Sequence, residues 1–525
     1  MHLSLSRWLR PVAVAAALVL TVPAQSTASH NVPSPPDCDE DDFLLSLDVT
    51  GTLQHVICSG DTVDGFEFPG IPDGIGIAPG PDEGTINVFV NHEESDVPFP
   101  ATGVNAQADF QDSSVSKITL DTGTGELLAA EVALPAAAGF MRLCSSFMAG
   151  PDEGFSRYTY LTGEETNDVV PVEPDAPYGA DPSVAPNRQG GLNLLLDADP
   201  NGDGDFVAVP GQGRHNHENT VPVPGDWNQF ALLSTDDTFT ATTSQLYMYL
   251  ANHERHIWQD KGSLWAFQVT RTDEGPVDPF DPFNEANDYL DLEVGEEFQG
   301  RYIRVPKQIA EGTTAERPQD ALENWSNDNN VFQFVRLEDL DYDRSNNRVV
   351  YIADTGATGV VPNPATGRMH RPGGVVGQAD NGSIFRMEFN AKNPRKVDSL
   401  TLFHDADSEV TAAGEPNMRQ PDNMGISLNS LMIQEDASGP PVNSRIWRFD
   451  FATEAWEVVA TVNENDWESS GIVDASGWLW DGAWLVDVQG HGNDDWVDFA
   501  NETPARPWHL RQEAGQLLIM TIPGT

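Results

Sequence analysis

Short runs of β-branched and aromatic residues recur along the chain between clusters of Gly, Pro, Asn and Asp, and apolar positions almost never return with helical spacing. That pattern predicts an all-β fold. One type of strand ends abruptly in acid: INVFVNHEE (86–94), YTYLTGEE (158–165), QLYMYLANHE (245–254), RVVYIAD (348–354), SLMIQED (430–436) and AWLVDV (483–488). A second type usually follows, with alternating apolar residues: SSVSKITL (113–120), GSLWAFQV (262–269), GSIFRMEF (382–389) and SRIWRFDF (444–451). No such unit buries both its faces alone. Radial stacking solves that problem, so the repeats predict a β-propeller of about six blades.

Equivalent strand ends of a propeller lie on one face, and the innermost ends ring the central channel. If the acid-ending strands are innermost, Glu93, Glu94, Glu164, Glu165, Glu254, Asp354, Glu435 and Asp487 crowd one mouth. Carboxylates that share a site raise one another's pKa, and repetition of the arrangement calls for a compensating cation. A second set stands upstream of the same strands: Asp73, Cys144, His217 with Glu218, Arg336 with Glu338 and Asp339, Asp422 with Asn423, and Glu468. The separations Asp73 to Glu93, Cys144 to Glu164 and Glu338 to Asp354 are similar, so each unit delivers two polar groups to one mouth.

The tripeptide Asn-His-Glu occurs at 91–93, 216–218 and 252–254. His92, His253 and His256 are expected to make local hydrogen bonds, while the adjacent glutamates suit hard cations such as calcium. Cys144 is the soft exception, because a thiolate among oxygen ligands favours a transition metal. A mixed centre, one transition metal beside calcium ions, is the expectation.

Charge narrows the partners. There are 82 acidic residues against 28 basic ones, and five of the basic ones are lysines. Such a chain does not seek nucleic acid or an anionic membrane surface. Residues 1–28 read as a secretory signal, with Arg7 and Arg10 before the apolar stretch Pro11 to Leu20 and small-residue exits near Ala24 and Ala28. That stretch is short for a membrane span. The mature protein is therefore expected to be soluble and extracytoplasmic, with an N-terminal extension (29–60) and a single propeller domain (61–525). Cys38 and Cys58 bracket a short stretch suited to a disulfide in an oxidising compartment. From Asp199 the chain matches the first half of an EF-hand loop, but Pro210 stands at the twelfth position, so a peripheral calcium site and a hydrated acidic turn both remain open. Nucleophile-elbow, phosphate-loop and zincin motifs are absent.

The series LCSS (143–146), YLTGEE (160–165), GRHNHEN (213–219), RLED (336–339), QPDN (420–423), ESSG (468–471) and VDVQGHG (486–492) resembles the PhoX-type alkaline phosphatases. The resemblance implies a six-bladed propeller with a calcium and iron (Ca2+ and Fe3+) cluster in the channel mouth and phosphomonoesterase activity on a small phosphate ester. Carried over by position, it implies that Cys144, Glu165, Glu218 and Glu338 are metal ligands and that Arg336 holds the substrate phosphate. Glu254, Asp422 and Glu468 become further calcium-binding positions. Two rival readings are a non-catalytic calcium-binding propeller and another calcium-dependent hydrolase such as a lactonase. Neither gives both Arg336 and Cys144 a role.

Overall fold

The computed structural model describes residues 43–93, 113–167, 169–171, 187–200, 202–238, 244–281, 283, 286–408, 417–436, 443–463, 467–491 and 513–525. The expected signal segment, Cys38 and Glu94 lie outside these. Among the described residues no helix is long and apolar enough to cross a membrane.

The fold is all-β and propeller-like, as the alternation of apolar positions predicts. Its first sheet contains Pro72–Pro79, Thr85–His92, Ser114–Asp121 and Leu127–Leu134 in spatial as well as chain order. The second contains Leu143–Ala149, Thr159–Glu164, Asn193–Asp197 and Phe206–Ala208. A long sheet follows, running from His217–Pro222 at one end to Leu337–Tyr342 at the other. Phe298–Arg304 joins its two halves by pairing with Ser263–Thr272 on one side and Lys396–Asp405 on the other. This bridge explains why separate sheets are fewer than the expected blades.

Two further sheets complete the circle. One runs outward from Pro421–Ile426 and ends on Leu45–Leu47. The closing sheet runs outward from Glu468–Asp474 through Ala483–His491 and Glu513–Thr521 to Thr52–Cys58. The segment expected as an N-terminal extension thus supplies outer strands to two sheets. Cys58, on the last of these strands, is disulfide-bonded.

The innermost strands Pro72–Pro79, Leu143–Ala149, His217–Pro222, Leu337–Tyr342, Pro421–Ile426 and Glu468–Asp474 pack side by side in that order, and the last returns to the first. The core lies as wedges between neighbouring sheets. Ala78, Phe89, Tyr160 and Leu194 fill one wedge, and Ile75, Val88, Leu485 and Ile519 fill another. Each large side chain buried there contributes roughly 1.5–3 kcal/mol. A helix, Pro318–Asp328, lies in the connection before Leu337–Tyr342, where strand periodicity gave no warning of it.

The inner strands enclose a cavity of about 290 Å3 lined by Asn219, Asp339, Asp341, Asn423 and Gly471 among others. It leads away from the strand starts toward Asp152, Glu153 and Trp478.

Candidate functional site

Every inner hairpin carries the same irregularity. Pro72 pairs with His92 but Ile75 with Val90, and Leu143 pairs with Glu164 but Ser146 with Thr162. His217, Leu337, Pro421 and Ser469 make equivalent pairs with Asp236, Asp354, Glu435 and Val488, and each register slips by one residue further on. Such bulges bend a strand and re-aim side chains. The residue after the last pair before the slip is Asp73, Cys144, Glu218, Glu338, Asp422 and, in the closing sheet, Ser470. Five of these six positions thus carry an acid or a thiol.

The second strand adds the next layer, and where it ends in two polar residues they divide the labour. The first is a brace. Glu164 accepts the backbone N–H groups of Met141 (2.9 Å) and Leu192 (3.0 Å). Asp354 accepts those of Val335, Arg336 and Gly356 at 2.9–3.0 Å. Glu435 accepts Arg419 N–H at 2.8 Å and is held by the Arg445 fork. The residue after the brace turns toward the axis. Its N–H closes the hairpin on the residue before the inner strand: Glu93 on Ile71, Glu165 on Arg142, Asp237 on Asn216, Thr355 on Arg336 and Asp436 on Gln420.

Donor atoms of Asp73, Glu93 and Cys144 come within 4.8 Å of one another. The same holds for Cys144, Glu165 and Glu218, for Glu165, Asp237 and Glu338, and for Glu218, Glu338 and Asp422. The sets share members and so form one continuous cluster. Its floor is buried, and Asp422, Asp436 and Glu468 stand half-buried at the rim. Burial, reinforced by neighbouring carboxylates, pushes Glu165, Glu218, Glu338 and Asp422 well above the carboxylate range. Burial raises Glu93 to about 7, and burial together with Asp436 raises Glu468. Burial and four surrounding acids push the Cys144 thiol up, so without a cation its S–H donates to Asp73 Oδ2 at 3.1 Å. Hard oxygen donors gathered around one sulfur fit a mixed set of calcium and a softer metal.

Arg336 stands at the edge of this cluster with its side chain 21% exposed. Its guanidinium donates twice to Asp237, from Nε at 2.8 Å and Nη2 at 2.6 Å, and Nη2 is 3.3 Å from Glu338 Oε1. Burial opposes its charge, but Asp237 and Glu338 more than offset that. Arg142 precedes the second inner strand as Arg336 precedes the fourth, and its charge counters the burial of Glu93 and Glu165.

The structure therefore brings together Cys144, Glu165, Glu218, Glu338, Asp422, Glu468 and Arg336. It does not bring Glu254. In the third unit, Phe230–Asp236 is the second strand and returns to the mouth, whereas Leu246–Ala251 is third and runs away from it. Glu254 follows that strand at the opposite face, where it accepts Ser156 N–H at 2.9 Å and its hydroxyl at 2.6 Å. The missed counterpart is Asp237. It follows Glu218 by 19 residues, close to the 20 from Asp73 to Glu93 and the 21 from Cys144 to Glu165. That spacing was the available signal. Asp436 was also missed as a member of the cluster.

His92 behaves as expected, bonded to Gly70 O and the Ser116 hydroxyl, and burial lowers its pKa to about 3. Asp197, two residues before the EF-hand-like stretch, is ion-paired with Arg157 at 2.7 Å, and Asn201 within it lies outside the described residues.

No family model matches the chain, and no curated protein matches it by sequence. Solved structures do. A vanadate-bound PhoX of Pseudomonas fluorescens, described as a transition-state-analogue complex, superposes with a TM-score of 0.61 at 14% identity, covering 91% of this chain and 96% of that one. A soluble aldose sugar dehydrogenase of Escherichia coli covers 90% of this chain and 99% of its own, with a TM-score of 0.36 at 11% identity. The NanB sialidase of Streptococcus pneumoniae covers 89% and 70%, with a TM-score of 0.37 at 6% identity. At these identities the likeness to PhoX shows the fold.

Proposed function

We propose that this chain is a six-bladed, metal-dependent phosphatase of the PhoX kind, exported from the cytoplasm and acting on small phosphate monoesters. The observation that carries the reading is the register: Asp73, Cys144, Glu218, Glu338 and Asp422 hold one bulge position in successive inner strands, and Arg336 stands beside them. Cys144, Glu165, Glu218 and Glu338 would hold the metals of the floor, with Asp237 and Glu93 beside them and Asp422, Asp436 and Glu468 at the rim. Iron is assigned to the Cys144 side and calcium to the all-oxygen side. When bound, the metals supply Lewis-acid chemistry on a phosphoryl group.

The chain's own residues do the rest. Asp237 takes the Nε/Nη2 edge of the Arg336 guanidinium and, with Glu338, holds it in a fixed plane at the mouth, where its charge would meet a phosphate oxygen. The buried floor keeps water scarce, so each donor aimed at developing charge counts for more than it would in bulk solvent. Thr355 donates to Glu338 and the Ser145 hydroxyl to Glu218 at 2.5 Å, which fixes two proposed ligands from behind.

Elemental analysis of natively purified protein, alongside hydrolysis of p-nitrophenyl phosphate, tests the reading. Iron with several calcium ions is expected in the wild type, with iron and activity both lost in Cys144→Ala. Calcium alone in both proteins, with no hydrolysis, would replace the phosphatase by a calcium-binding propeller.

A further inference from the structure

Asp487 has both carboxylate oxygens fully buried and without a hydrogen bond of normal geometry. It lies in the second strand of the closing sheet, and its relatives around the ring show what the position normally does. Asp487 falls in the slip between the pairs Ser469–Val488 and Ile472–Val486, as Asn91 falls between Pro72–His92 and Ile75–Val90. The Asn91 amide donates across the sheet boundary to Cys144 O and to Ser145 O at 3.2 Å, the carbonyls at the start of the next inner strand. For the closing sheet the next inner strand is Pro72–Pro79, and Asp73 is the counterpart of Cys144. Asp487 has oxygens where Asn91 has its donor.

A glycine lets the two sheets approach closely: a Cβ on Gly471 would meet Asp73 O at 2.5 Å, Ile75 Cγ1 at 2.7 Å and Asp487 Oδ2 at 3.1 Å, so both oxygens pack against the Gly471 backbone. Asp73 Oδ1 is likewise buried without a hydrogen bond of normal geometry, Ser470 and the Gly74 N–H giving Asp73 only partial relief, and the charge of Asp73 is felt at Asp487. The Gly471 N–H offers Asp487 only partial relief and forms no hydrogen bond of normal geometry with it. A single proton on Asp487 would satisfy one contact and leave the other oxygens facing one another. A small cation answers all of them together.

We propose that a hard cation of the calcium class binds between the closing and first sheets, held by the Asp487 carboxylate, the Asp73 carbonyl and Asp73 Oδ1 over Gly471. This site lies behind the mouth cluster and pins the seam of the ring. Asp487→Asn restores the donor that Asn91 uses and removes the need for the ion.

Mass-spectrometric metal counting of the full chain after gel filtration in calcium-containing buffer tests it. Asp487→Asn is expected to hold one calcium equivalent fewer than wild type, with iron unchanged. Equal calcium in both proteins overturns the proposal. If the mouth reading is wrong and iron is absent from both, the one-equivalent difference still stands, so the two failures are distinguishable. Should Asp487→Asn not fold, wild-type crystals soaked in Tb3+ decide by anomalous scattering. A peak bonded to Asp487 supports the site, and peaks confined to the mouth overturn it.

Discussion

Glu338 and Asp339 are consecutive residues on one inner strand, both buried, and they meet opposite surroundings. Asp339 turns to the channel and accepts Asn219 Nδ2 at 2.5 Å, Leu340 N–H at 2.6 Å and Met424 N–H at 2.9 Å. Two residues on, Asp341 accepts Tyr342 and Ile426 N–H groups and both ends of the Arg344 fork. Glu338 turns to the mouth, where it meets the Thr355 hydroxyl and Arg336, and where Asp237 adds a like charge. The chain thus gives Asp339 and Asp341 backbone donors and sets Glu338 among other acids. A buried carboxylate saturated with N–H groups is a structural element. One crowded by other carboxylates is half of a site whose other half comes from solution.

Substitutions can break this comparison. Glu338→Gln is expected to lower phosphate ester hydrolysis by about 100-fold or more and to reduce metal content, because it removes a charge that faces the proposed metals. Asp339→Asn should keep its metals and cost about 1–3 kcal/mol in denaturant unfolding, since its amide would face the backbone donors of Leu340 and Met424. If the two variants behave alike, the distinction fails.

Chelation sharpens it. Glu93 ionises near 4.5 in the unfolded chain and near 7 in the folded, metal-free protein, because burial opposes its charge. Between those values the folded state holds the extra proton, so stability is greatest below the unfolded pKa and declines as pH rises through 7. For this one group the loss is about 3 kcal/mol. Thermal melts of chelated protein should fall across that window, and calcium should flatten the curve. Stability rising toward neutrality in the chelated protein would refute the account.

Arg336→Lys keeps the charge but not the fork, and a drop of about 10-fold to 100-fold in kcat/KM with unchanged metal content is expected. The smallest effect belongs to Glu254→Gln. It should leave hydrolysis within about twofold and cost about 1 kcal/mol through weakened contacts to Ser156.

Much of the ring was legible because strand alternation and the spacing of acids follow from local geometry. Cys144, Glu218, Glu338 and Asp422 share one place in their hairpins, and a shared place gives a recurring separation from the polar end of the next strand. Glu254 was misplaced because QLYMYLANHE copies the look of INVFVNHEE while being a third strand, not a second. Strand direction depends on how many turns precede it, and the connection through Trp227 to Phe230–Asp236 reads weakly as a strand. The split between bracing Glu164 and inward Glu165 was also hidden. It rests on which backbone N–H groups approach from Met141 and Leu192, and those are set by tertiary packing. The bridge through Phe298–Arg304 that merges two sheets is non-local in the same way.

The pairing of Thr52–Cys58 with Glu513–Thr521 joins segments more than 450 residues apart, in the register Thr52 to Thr521. A growing or refolding chain can build its early sheets by local pairing, yet it stays an open horseshoe until that distant partner arrives. Closure is therefore the late, slow event of assembly. Until then both lips of the gap present unpaired strand edges, which makes this seam the place where the chain is most exposed to association with its own copies.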